Sequence, residues 1–188
     1  MTGRTVAVFL VLAASPAAGL AQEQTLIVEG VESGGWGGPV VMFSDVNGQF
    51  AVFAGGRGGW IINHAFVLGG AGYGLTNDIR FFEGGPSRQF NFGYGGGDIE
   101  AVIASDKLVH ATVNVMIGGG GISPLTGEPA DAVFVLQPQG SVDLNVTSFF
   151  RMSFGGGYRY VSGVDYPGLR NAMFSSAFGA LVFKFGKF

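Results

Sequence analysis

Over residues 108–117 apolar and polar side chains alternate one for one. Val109, Ala111, Val113, Val115 and Ile117 fall on one face, and His110, Thr112 and Asn114 on the other. A period of two places successive side chains on opposite faces of a β-strand. The pattern recurs over 131–146, where Ala132, Phe134, Leu136, Val142, Leu144 and Val146 share a face with Pro138 and Gly140. Gln137, Gln139, Ser141, Asp143 and Asn145 oppose them. Over 149–160, Phe150, Met152, Phe154, Tyr158 and Tyr160 oppose Arg151, Ser153 and Arg159. A helical period fits none of these stretches.

Extended along the chain, the pattern predicts eight strands, at 35–44, 49–62, 65–76, 89–104, 108–120, 131–146, 149–161 and 173–187. The connections differ in length. Asn63–His64, 105–107 and Thr147–Ser148 are turns of two or three residues, whereas 77–88, 121–130 and 162–172 are loops of ten or more. Asp45, Val46, Asn47 and Gly48 form a short hairpin connection through Asn-Gly, a pair that tolerates the positive φ of tight β-turns. Two irregularities are expected to cost something locally. Pro138 has no N–H for a ladder, which places it near the long-loop end or at a bulge. In the fourth segment Phe90, Phe92 and Tyr94 are even-numbered while Ile99, Ala101 and Ile103 are odd, which predicts a β-bulge within Gly95, Gly96 and Gly97.

Composition then decides what kind of sheet this is. Charged residues are only 12% of the chain, with 35 Gly and 18 Phe among 188 residues. An ordinary soluble surface carries about 25–35% charged residues. Arg4 followed by the apolar run 6–14, Pro16 and the small residues Gly19 and Ala21 predicts a cleaved signal peptide at 1–21, cut between Ala21 and Gln22. A short segment at 22–34 is expected to precede a barrel domain at 35–188. No later stretch is a continuous apolar run long enough for a transmembrane helix. An exported, apolar, charge-poor chain without such a helix can satisfy its backbone in lipid only as a closed barrel. The expected fold is therefore all-β, an eight-stranded antiparallel up-and-down transmembrane β-barrel. Its short turns and both chain termini face the periplasm, and its longer loops face outward. The chain has no Cys, which excludes disulfides and thiolate metal sites. Its net charge of −3, or −4 without Arg4, argues against nucleic acid as a partner.

On these residues the chain resembles the small eight-stranded outer-membrane proteins, the class of the OmpA transmembrane domain and OmpX. Phe188 adds to the resemblance, because an aromatic at that place is the family's recognition signal for the barrel-assembly machinery. The alternate positions before it are held by Gly186 and Lys184, and the apolar set Leu181, Phe183 and Phe185 is out of phase with Phe188. The resemblance implies outer-membrane lipid and the assembly machinery as partners, and an extracellular partner of unspecified identity.

The residues with chemistry to offer are the charges on the polar faces. Arg57, Asp98, Glu100, His110, Asp143, Arg151 and Arg159 nearly cancel in sign. In lipid they must point inward and pair, and an eight-strand lumen is narrow enough for them to fill it. This predicts a salt-bridged, plugged lumen rather than a pore. The glycine clusters lack the strand-to-helix context and following Lys-Ser/Thr of a phosphate loop, and read as sites of strand curvature. No cofactor, metal or catalytic site is expected. His64 and His110 lie at the periplasmic end without a Ser/His/acid arrangement, which weighs against a lipid A-modifying enzyme. Asp45, Asn47 and Gly48 resemble the start of a calcium loop but lack its remaining ligands. Trp36, Trp60, Tyr94, Tyr158 and Tyr160 are candidates for interfacial aromatic belts. The competing architecture is a soluble, lipocalin-like periplasmic barrel binding an apolar ligand. It would invert the faces, burying Val109, Val113 and Ile117 and exposing Asn114 and Arg151.

Overall fold

A computed structural model describes residues 33–81, 88–125 and 130–188. The expected signal peptide, its Ala21–Gln22 junction and the segment up to residue 32 lie outside the described residues. The elements are β1 (Ser33–Val46), β2 (Gln49–Ile62), β3 (Phe66–Leu75), β4 (Arg80–Phe81), β5 (Arg88–Ile103), β6 (Val109–Pro124), β7 (Asp131–Asn145), β8 (Phe150–Ser162), α1 (Asn171–Phe174) and β9 (Ser176–Lys187). Eight long strands run in the order β3-β2-β1-β9-β8-β7-β6-β5, and pairing of β3 with β5 closes the ring. β4 is a two-residue ribbon on the long-loop end of β5. Every pairing is antiparallel between neighbours, so the barrel is an up-and-down meander.

The hydrophobic pattern points outward. Val109, Val113 and Ile117 are each about half exposed, at 52%, 51% and 52%, while Asn114 on the opposite face is 3% exposed. This is the reverse of what a lipocalin-like soluble barrel requires. The tight turns follow from residues that accept positive φ. Asn47 and Gly48 sit at φ 54° and 72°, and Asn63 and His64 at 51° and 54°. Asp45 Oδ1 accepts the Gly48 N–H at 2.8 Å, a contact that closes the turn.

Two sequence expectations are corrected. The β5 register with β6 runs unbroken from Phe90↔Pro124 to Ile103↔Ala111, so there is no bulge among Gly95, Gly96 and Gly97. Phe90, Phe92 and Tyr94 share the inward face with Asp98 and Glu100, and all five are buried. The apparent change of phase is a change in what the lumen contains. Pro138 lies in mid-strand with the same register on either side, so it marks no bulge either. The β7–β8 ladder simply has no partners at Gln137 and Pro138, between Leu136↔Tyr160 and Gln139↔Gly157.

The lumen has two layers. Toward the long loops, Phe53, Phe92, Tyr94, Phe81 and Phe90 pack ring against ring, and α1 drops Phe174 among them at 1% exposure. That inward placement is why 173–175 leaves the strand that the pattern assigned to it. Toward the short turns the inward face is polar. Two aromatic residues expected at the interfaces are inside: Trp36 and Tyr94 are buried at 6% and 5%, whereas Trp60, Tyr158 and Tyr160 face out.

Wall curvature explains inward-facing glycines. Gly96 and Gly118 are register partners, and a Cβ on Gly118 would lie 2.6 Å from the Gly96 Cα. Only glycine permits that approach of two backbones.

Candidate functional site

The polar layer is a single chain of alternating charges. Arg57 on β2 donates from Nε to Asp98 Oδ2 at 2.7 Å and from a terminal nitrogen to Glu100 Oε2 at 2.5 Å. Lys184 on β9 donates to Glu100 Oε1 at 3.0 Å and to Asp143 Oδ2 at 2.7 Å. The sequence Asp98–Arg57–Glu100–Lys184–Asp143 thus crosses the lumen from β5 to β7, with every member at most 4% exposed. Asn114 on β6 donates to Asp98 Oδ1 at 2.8 Å.

Strand register builds this chain. β3 lies between β2 and β5, and its inward residues opposite Arg57 and Asp98 are Ala71 and Gly69. Small residues there let the guanidinium reach over β3 to the two carboxylates. Buried carboxylates and cations persist only when paired and hydrogen-bonded, and here each acid has a cation in direct contact. The Trp36 ring completes the packing, 5.5 Å from the Arg57 guanidinium carbon and 4.5 Å from Lys184 Nζ.

The remaining candidates fall elsewhere. His110 Nε2 lies 3.7 Å from Asp143 Oδ2, at the end of the chain. Arg151 is partly buried at the short-turn end, its guanidinium 3.9 Å from the Phe188 ring centroid. Arg159 belongs to the aromatic layer rather than the charge chain. It donates to the Phe174 and Asp45 carbonyls at 2.9 and 3.2 Å and lies 4.5 Å from the Phe53 ring. No acid pairs with it among the described residues. Phe188 follows the inward phase of β9 and is partly buried, while Leu181, Phe183 and Phe185 face out. Lys184 is the residue the sequence reading did not place. Its signal was present in the even-numbered phase it shares with Phe178, Ala180 and Val182.

A Ser, an Asp and a His are neighbours in register, although the Ser153 hydroxyl makes no hydrogen bond among the described residues. Ser153 is the register partner of Asp143, which in turn pairs with His110. In a nucleophilic triad the imidazole must stand between nucleophile and acid, to take the proton from one and be held by the other. Here the acid stands in the middle and Lys184 occupies one of its oxygens. The arrangement suits structural pairing.

A closed eight-stranded antiparallel barrel with apolar residues outside and an ionic lumen has the fold of a small outer-membrane β-barrel of the Gram-negative type. No family model matches the chain, and no curated protein matches it in sequence. Among solved structures it is similar to Neisserial surface protein A (NspA), with a TM-score of 0.58 at 15% identity over 85% of this chain and 99% of that one. It is more distantly similar to Ail, the attachment invasion locus protein of Yersinia pestis, with a TM-score of 0.45 at 15% identity over 82% of this chain and 95% of that one. Ail in complex with the heparin analogue sucrose octasulfate gives 0.42 at the same identity, over 83% and 97%.

Proposed function

We propose that the protein is a non-enzymatic barrel of the bacterial outer membrane, exported through its signal peptide, with a plugged lumen and a role played by its long loops at the cell surface. The observation that carries this reading is the inverted distribution of polarity, with buried ion pairs inside and half-exposed Val, Ile and Phe outside. The outward aromatics give it a dimension. Phe50 and Trp60, both strongly exposed, lie ten residues apart on β2. At about 3.4 Å per residue and a tilt near 40°, they bracket a band of about 25 Å, the height of an outer-membrane barrel's apolar belt.

In this setting outer-membrane lipid surrounds the wall, the assembly machinery inserts the strands and a surface partner meets the loops. The short-turn end faces the periplasm. The alternating charge chain and the aromatic layer above it leave no continuous water column through eight strands. Fractionation tests the location. The protein should resist osmotic shock, require detergent for release, and migrate differently on gels before and after boiling. Release without detergent would sink the membrane reading. Planar bilayers test the plug, for which purified wild-type protein should give no steady conductance. Reproducible ion-selective channels would make it a porin instead.

A further inference from the structure

The short-turn end of the lumen holds a recess of about 10 Å³, room for about one water molecule, against Trp36, Glu100, Asp143, Arg151, Lys184 and Phe188. Its roof is the Glu100–Lys184–Asp143 portion of the charge chain. We propose that Phe188 is the stopper of this recess and Arg151 its anchor, together keeping the buried ion pairs dry on that side.

Three observations converge on this assignment. First, β9 buries Phe178, Ala180, Val182 and Lys184 on its inward face, and Phe188 continues that phase. Between them Gly186 carries no side chain, and a Cβ there would lie 2.6 Å from the Trp36 Cα. β9 is therefore drawn tightly against β1 just before Phe188. Second, the Arg151 guanidinium carbon sits 3.9 Å from the Phe188 ring centroid, and no acid lies in ion-pair range of Arg151 among the described residues. A cation over a ring face is held electrostatically, more strongly where water is excluded. Third, Arg151 and Lys184 are register partners, so the anchor lies beside the cation that the stopper shields.

The stopper is a feature of one end only. It uses the proposed orientation to name that end periplasmic, but its geometry stands without it. Removing Phe188 leaves the Arg57–Glu100–Lys184 contacts and the aromatic layer in place, so it should admit water to the recess without opening a channel.

The chain has two tryptophans, and Trp60 faces outward. Trp60→Phe therefore leaves Trp36 as a reporter inside the recess. In refolded, heat-modifiable protein, acrylamide should quench Trp36 weakly. Phe188→Ala should raise the quenching constant at least threefold, Phe188→Tyr should hold it at the parental value, and Arg151→Gln should raise it with the ring still present. Quenching unchanged by both Phe188→Ala and Arg151→Gln in folded protein would overturn the stopper. Strong quenching already present in the Trp60→Phe parent would do the same. If Phe188→Ala does not refold, Arg151→Gln against its parent decides alone. A planar-bilayer channel in the wild type would instead defeat the plugged lumen and leave the quenching result standing.

Discussion

Among single residues, the charges that matter most to the lumen are those with no alternative partner. Arg57 touches both Asp98 and Glu100, and Asp98 has no other cation in range among the described residues. Arg57→Ala should strand that carboxylate in a dry lumen and cost about 3–5 kcal/mol in urea unfolding from vesicles. A loss under 1 kcal/mol would mean that water reaches Asp98. A second residue works in the opposite direction. Ala104 holds φ 58° in the turn after β5, a conformation that costs a Cβ-bearing residue about 1 kcal/mol. Ala104→Gly should recover about that amount, and a destabilised variant would show that the turn is relaxed in another way. Polarity alternation made the inward phase of Arg57, Asp98, Glu100, His110 and Asp143 legible in the sequence. Lys184 escaped because its neighbours of like phase, Val182 and Ala180, are apolar although they face the lumen.

At the scale of elements, the strands were readable because one face meets an apolar surrounding and the other does not. β2 matches its expected span of 49–62, and β7 and β8 match theirs within one residue at each end. The rule fails where the inward face is itself apolar. The outer half of β5 carries Phe90, Phe92 and Tyr94 inward, so polarity alone suggested a slip of phase where none exists. Likewise α1 was hidden in the expected last strand, because Phe174 supports either a strand or a plug in an aromatic lumen. Two predictions belong here. Gly118→Ala should push β5 and β6 apart and cost about 1–3 kcal/mol, an overpacking penalty readable as a lower fraction of heat-modifiable protein. Arg159 links α1 to the β1–β2 hairpin through the Phe174 and Asp45 carbonyls, next to the Asn47 N–H to Met173 carbonyl bond at 2.7 Å. Arg159→Met should accelerate hydrogen exchange at the Asn47 amide while leaving the β2–β3 ladder protected. Equal exchange in both proteins would show that the ring packing of Phe174 holds the loops unaided.

At the scale of the whole molecule, the barrel sorts its polarity twice. Radially, ion pairs lie within and aliphatic and aromatic side chains without. Axially, a charged layer near the short turns gives way to an aromatic layer near the long loops. The radial sorting supports the membrane location, and the absence of cysteine allows it to be measured one residue at a time. Single cysteines from 109 to 117 on β6, spin-labelled after refolding into lipid vesicles, report collisions with oxygen dissolved in the bilayer. With the odd-numbered side chains in lipid, the expected result is a period of two, with maxima at 109, 111, 113, 115 and 117 and minima at the even positions between them. Maxima at 110, 112, 114 and 116, or accessibility without period, would contradict it.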